Sequence, residues 1–160
     1  MRALARSVGA TTGIVTHHFL DRAEVVEAAL GHARSTMLDR ALALPAGSTA
    51  FDLLVATLPL DDRMVTSWRV WLDVRAAALH DPDMARFHRE MYDEWQAESE
   101  RRLQPELGEA AAVAVDHLMA VVDGIALRAA LDPDAWPESR QRKHLTTAWD
   151  AVVPRSGEHE

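Results

Sequence analysis

A chain of 160 residues suits one domain, or a small head on one larger body, and is long enough to bury a real core. Its 48% hydrophobic and 26% charged residues exclude a disordered chain, and the absence of cysteine excludes disulfides, thiol nucleophiles and Cys-ligated zinc. The formal charge of -8 is divided unevenly, since residues 1–40 carry five Arg against four acids while residues 41–160 carry twelve bases against twenty-one acids. The acidity therefore belongs to the second part, which DNA would repel, and the first part is weakly basic. The sequence shows no signal peptide and no uninterrupted apolar run long enough to span a bilayer, so a cytoplasmic protein with no membrane partner is expected.

In chain order, Leu4 and Val8 share one face of a short helix that stops at Gly9. A turn over Gly9-Ala10-Thr11 follows, and Thr11 or Thr12 caps a second helix whose apolar residues Ile14, Val15 and Phe19 leave Thr12, Gly13, Thr16 and His17 outside. Helix, Gly-containing turn, helix is the arrangement that lays its second helix into a DNA major groove. Asp21 and Glu24 form a D-x-x-E capping pattern for a third helix. Arg22, in its first turn, opposes the helix dipole, so a phosphate partner is the better reason for it. This helix is expected from Arg22 to about Leu44, with apolar Val25, Val26, Ala29, Ala33, Met37, Leu38 and Ala41 drifting around it. At about 1.5 Å per residue it spans roughly 34 Å, enough to tie a head to a body.

Pro45-Ala46-Gly47 ends that helix, and Ser48 or Thr49 caps a short one through Leu58. Pro59-Leu60 breaks it, and Asp61-Asp62 opens a helix to His80 with Met64, Trp68, Leu72 and Leu79 near one face and Trp71 at its edge. Asp81-Pro82 restarts a helix to about Leu103, stacking Met84, Phe87, Met91 and Trp95, and Pro105 and Gly108 mark the next connection. No strand-like alternation occurs, so the expected fold class is all-α. The helix expected from Glu109 to Leu131 is apolar nearly all round and must be covered on two sides. A second copy is the simplest second cover, through Val113, His117, Val121, Gly124, Ile125 and Arg128. Leu145, Trp149 and Val152 of a last helix, Pro137 to Val152, would complete a four-helix interface in a homodimer. Residues 154–160 are expected to form a flexible tail.

Trp68, Trp71, Leu72, Phe87, Met91, Trp95 and His117 are candidate pocket residues, and Trp68, Trp71, Tyr92 and Trp95 would make an aromatic cage for a cation; core packing is the competing reading for each. Asp73, Asp116, Asp123 and His117 are the residue types of acid-base catalysis, but no Gly-rich phosphate loop, nucleophile elbow or paired-carboxylate motif accompanies them, so no enzyme and no cofactor are expected. The eight histidines give no metal-site spacing beyond the adjacent His17-His18.

The stretch Leu4-Ala5, Val8-Gly9-Ala10-Thr11, Thr12-Gly13, Thr16-His17-His18-Phe19 and Arg22 to Glu24 resembles the DNA-binding head of the tetracycline-repressor (TetR) family. The resemblance implies contacts to double-stranded operator DNA from Thr11, Thr12, Gly13, Thr16, His17, His18 and Arg22. Thr16 stands where a phosphate-binding Tyr is usual, and Met1 falls inside the family's second helix, so the first helix of a three-helix head is missing. Trp68-Arg69-Val70-Trp71, His80-Asp81-Pro82, Val121 to Arg128 and Leu131-Asp132-Pro133 resemble the C-terminal domain of the branch that includes the choline-responsive BetI-like repressors. That likeness implies dimerisation by the last two helices and a small-molecule effector held by the middle ones, which changes the separation of two heads set about 34 Å apart. The expected organisation is an incomplete helix-turn-helix head with its linker helix over 1–44 and a ligand-binding and dimerisation domain over 45–153. A regulator released from its operator by a ligand is expected. The alternative is a dimeric small-molecule-binding module that has lost DNA binding with its first head helix.

Overall fold

The computed structural model describes residues 11–153. The expected first helix around Leu4 and Val8 and the tail 154–160 lie outside the described residues. Those described form α-helices and no strand: α1 Thr12–His18, α2 Arg22–Leu42, α3 Ala50–Thr57, α4 Asp62–Ala78, α5 Pro82–Leu107, α6 Ala111–Leu131 and α7 Glu138–Val152. Helix α4 is central, packed on α2, α5 and α6, while α6 also packs on α5 and α7. The short α3 fills the space between α2, α5, α6 and α7.

The helix starts follow from local capping. The Asp21 side chain accepts the Glu24 N–H at 3.0 Å, and the Glu24 carboxylate accepts the Leu20 N–H. Of the two candidates for α3, Thr49 is the cap, with Thr49 Oγ1 accepting from Asp52 N–H at 3.2 Å and the Asp52 carboxylate accepting from Thr49 N–H at 2.9 Å. The Thr49 N–H and the Thr49 hydroxyl, which also donates to the Asp52 carboxylate at 2.9 Å, hold the Asp52 carboxyl below its usual range. Asp61 accepts from Met64 N–H and Asp81 from Asp83 and Met84 N–H, with Pro82 in the first turn. Gly47, at φ +89°, supplies the left-handed residue that lets the chain turn after α2.

Several helix ends differ from expectation. Helix α5 continues to Leu107 with Pro105 inside it. Proline's fixed φ is helical, and this near the end it forgoes a single hydrogen bond, to the Arg101 carbonyl. A 3-10 turn, Gly108–Ala110, then leads into α6, which begins at Ala111 instead of Glu109. Leu79 caps α4 and is 78% exposed, off the apolar face assigned to it.

Helix α6 buries Ala114, Val115, Leu118, Val122, Ile125, Ala126 and Ala129 inside the protomer. Its outer face carries Val113, His117, Ala120, Gly124, Leu127 and Leu131, spaced alternately four and three residues apart, and all are exposed. Two expectations are corrected here: Ile125 is 4% and Leu145 0% exposed, so both belong to the protomer's own core and not to its outer face. Trp149 is half-buried, edge-on to Phe51 at 5.3 Å, so α7 turns its apolar side inward. By length and composition alone, the helical stretch Pro82–Leu131 contains a window apolar enough to cross a membrane, a test that the core helix of a soluble protein also passes. Helix α6, the most apolar part of that stretch, packs its buried face against α4, α5 and α7.

Candidate functional site

The aromatic residues of α4 and α5 converge on Met37 of α2. Two cavities lie around Met37 and Trp95. One, of about 40 Å³, is lined by Met37, Trp71, His88, Met91, Tyr92 and Trp95. The other, of about 50 Å³, is lined by Met37, Leu54, Thr57, Trp68, Trp95, Met119, Val122 and Asp123. Trp68 is fixed by its indole N–H, which donates to the Thr57 carbonyl at 2.6 Å. Trp71 stacks on Phe87, centroids 5.9 Å apart, and its buried Nε1–H meets no acceptor among the described residues. Such a donor is ready for a ligand oxygen.

One carboxylate enters this aromatic wall. Asp123 Oδ1 accepts from Arg75 Nη2 at 2.8 Å, and Oδ2 accepts from the Tyr92 hydroxyl over a longer 3.4 Å. The Arg75 guanidinium also donates from Nε to His88 Nε2 at 3.2 Å and lies 5.3 Å from the Trp68 ring centroid. His88 stacks on Tyr92 at 5.6 Å. Burial, then the Arg75 charge, hold the His88 imidazole below its usual 6.5. It is therefore the neutral ring, protonated on Nδ1, that accepts from Arg75. Burial first and the Asp123 charge next push the Tyr92 hydroxyl up to about 12, so it remains a donor. Aromatic faces beside a carboxylate suit a small organic cation.

Outside this chamber a cleft of about 340 Å³ runs between α2, α3 and α5 and shares Met91 and Trp95 with it. Its rim is crossed by Arg34, which donates to both Glu94 oxygens at 2.9 and 3.2 Å. A broader groove of about 900 Å³, lined by Leu30, Gly31, Met84 and Phe87 among others, opens to solvent where α2 passes the α4–α5 junction.

Residues 49–154 match the family described as BetI-type transcriptional repressor, C-terminal. The HTH-type transcriptional regulator BetI of Escherichia coli O45:K1 (strain S88 / ExPEC) is 31% identical over 143 residues, covering 82% of this chain and 72% of that protein. This chain belongs to the TetR family, in its BetI branch. The BetI protein of Cronobacter sakazakii (strain ATCC BAA-894) is 32% identical over 139 residues, 80% of this chain and 67% of its own. A transcriptional regulator from Rhodococcus sp. Rha1 has the same fold, with a TM-score of 0.81 and 24% identity over 94% of this chain and 83% of that one. Another, from Saccharomonospora viridis and solved in complex with choline, has a TM-score of 0.75 and 22% identity, covering 93% and 83%.

For a BetI-type regulator the chamber is partly the one read from the sequence. Trp68, Trp71, Met91 and Trp95 line it, Phe87 backs Trp71 from the outer groove, and Leu72 packs into the core without lining either cavity. His117 is corrected: it is exposed on the outer side of α6 and lines no part of the chamber. Met37, His88, Met119 and Arg75 were missed as site residues, and Asp123 was weighed only as a catalytic acid. Of the residues implied in dimer contact, Val113, His117, Gly124 and Arg128 are exposed, and Val121 is half-buried. Of the residues expected to contact DNA, Thr11, Gly13, Thr16, His17 and His18 are exposed on or just before α1, while the side chains of Thr12 and Arg22 lie outside the described set. Thr16 Oγ1 donates to the Gly13 carbonyl at 3.2 Å.

Proposed function

We propose that this TetR-family transcriptional regulator is a cytoplasmic homodimeric repressor that leaves double-stranded operator DNA when a small organic cation enters the aromatic chamber. The observation that carries this reading is the Asp123 carboxylate set among Trp68, Tyr92 and Trp95, with a wall, Met37, contributed by the helix that leads from the head. Ligand sites are commonly about 300–1,000 Å³. Cavities of about 40 and 50 Å³ are far smaller, so an organic ion must displace Met37 or Trp95 to fit. Displacing Met37 pushes on α2, and α2 sets where the head stands. Two heads must reach successive major grooves about 34 Å apart, so a coupling of about 1–3 kcal/mol between chamber and head suffices for regulation. Choline bound to the Saccharomonospora viridis regulator supports a quaternary ammonium as the first ligand to try.

The test is binding of the chain, and of a form extended upstream of Met1, to DNA flanking its gene, with salt varied and choline titrated. Salt-sensitive, sequence-selective binding that choline weakens is expected, with Asp123→Asn blunting the choline response. Selective DNA binding indifferent to choline and to tetramethylammonium would overturn the cation reading. No preference for any flanking site in either form would overturn the repressor reading and favour a ligand-binding dimer.

A further inference from the structure

Arg75 already makes, from within the protein, the contacts that a bound organic cation would make. Its guanidinium neutralises Asp123 at 2.8 Å and stands over the Trp68 face at 5.3 Å. Both are the recognition elements of a cation site, a counter-charge and a π-face within about 6 Å of the charge. Yet Arg75 lines neither cavity; it reaches these groups from the side, on α4. An arginine in a protein cannot shed its proton, so it competes with an arriving cation by charge and not by titration. Asp123 cannot serve two cations equally: Oδ1 is taken by Arg75, and among the described residues Oδ2 has only the long Tyr92 contact. Arg75 also has a way out, since about a quarter of its side chain is exposed and its remaining partner is the uncharged His88 ring.

We propose that Arg75 is a built-in stand-in for the effector, holding the chamber's carboxylate and Trp68 face until an organic cation expels it to solvent. It then sets the concentration at which the regulator responds, and it opposes cations selectively. A purely structural arginine would act differently. Its loss would leave Asp123 unpaired and would loosen the chamber for every ligand alike, charged or neutral.

This inference rests on the cation reading of the chamber, and the experiment separates the two. Tetramethylammonium, choline and the uncharged choline isostere 3,3-dimethylbutan-1-ol are titrated calorimetrically into the full chain, into Arg75→Gln and into Arg75→Gln/Asp123→Asn. The expected result is that Arg75→Gln binds both cations about tenfold tighter or better, within the usual span of site coupling, and leaves the neutral isostere unchanged. The double substitution should lose that preference for cations. A second measurement needs no variant: the Arg75 Nε–H, hydrogen-bonded to His88, should exchange with solvent faster in the wild-type chain once tetramethylammonium is saturating. Cation binding to wild type that Arg75→Gln leaves equal or weakens, or unchanged Arg75 exchange in the saturated protein, would overturn the stand-in while leaving the cation site intact. Binding of neither cation to either form would overturn the cation reading itself and the stand-in with it.

Discussion

Gly124 offers a way to test the proposed dimer without disturbing the protomer. A Cβ built at Gly124 meets nothing within 4 Å, so a larger residue fits the isolated chain. Replacing a mid-helix glycine removes a penalty of about 0.8–1.0 kcal/mol, and a glutamate there stands four residues before Arg128, the favourable order for a helical ion pair. Gly124→Glu should therefore fold at least as well as the parent. In the proposed dimer the opposite holds. Val113, Leu127 and Leu131 are 73%, 42% and 74% exposed, together a little under two whole side chains of open apolar surface. At about 1.5–3 kcal/mol for each aliphatic side chain fully buried, that amounts to roughly 3–6 kcal/mol per protomer and about twice that for a twofold pair. Association itself costs about 4–15 kcal/mol, so the stripe alone roughly balances that cost. Two carboxylates brought to the middle of it, each with a desolvation penalty of several kcal/mol, should raise the dimer Kd by about a thousandfold or more. Sedimentation equilibrium reads the Kd, and helix content by circular dichroism checks the fold. Gly124→Ala is the control: a single methyl should weaken the dimer measurably only if the two copies of α6 cross at that residue. A Gly124→Glu protein that stays dimeric, with Kd within about tenfold of the parent, would refute the assignment of this face.

Three further predictions concern the chamber. The folded His88 resists protonation below its usual 6.5, so stability is full above pH 6.5 and falls as pH drops through that value toward the lower folded one. His88→Gln should flatten this acid limb in urea melts at pH 7.5 and 5.5, and an unchanged slope would show that His88 does not produce it. Trp68→Phe deletes the 2.6 Å bond to the Thr57 carbonyl and leaves that acceptor buried, so unfolding midpoints should fall by an amount equivalent to about 1–3 kcal/mol. Met37→Ala should cost about 2–5 kcal/mol in the free protein. It should also gain more thermal stabilisation from choline than the parent does, because the ligand no longer has to move the thioether; equal gains would argue against Met37 as an obstacle.

Four helix starts were legible because capping is local: Asp21, Thr49, Asp61 and Asp81-Pro82 act on backbone groups two or three residues away. Pro105 misled because its effect depends on its distance from the helix end, which nothing around it specifies. The aromatic part of the chamber was legible too, since Trp68 and Trp71 on α4, and Phe87, Met91 and Trp95 on α5, recur at helical spacing. The pairing of Arg75 with Asp123 was not, because it joins α4 to α6 across 48 residues and leaves no periodic trace. Helix α6 hid its phase for a related reason: apolar on nearly every side, it gave no polar stripe against which to tell buried Ile125 from exposed Val113. His117 was drawn into the pocket by its apolar neighbours in sequence, though the helix turns it outward.

The chamber's walls differ in what a change to them would touch. Met119 belongs to α6 and faces the cavity beside Asp123, whereas Met37 belongs to α2, the helix that follows α1. In the proposed mechanism, reshaping residue 119 would retune which compounds are accepted and leave the transmission of the signal as it is. Reshaping residue 37 would alter selectivity and output together, so an engineer seeking a biosensor for a new compound should diversify the α6 wall first.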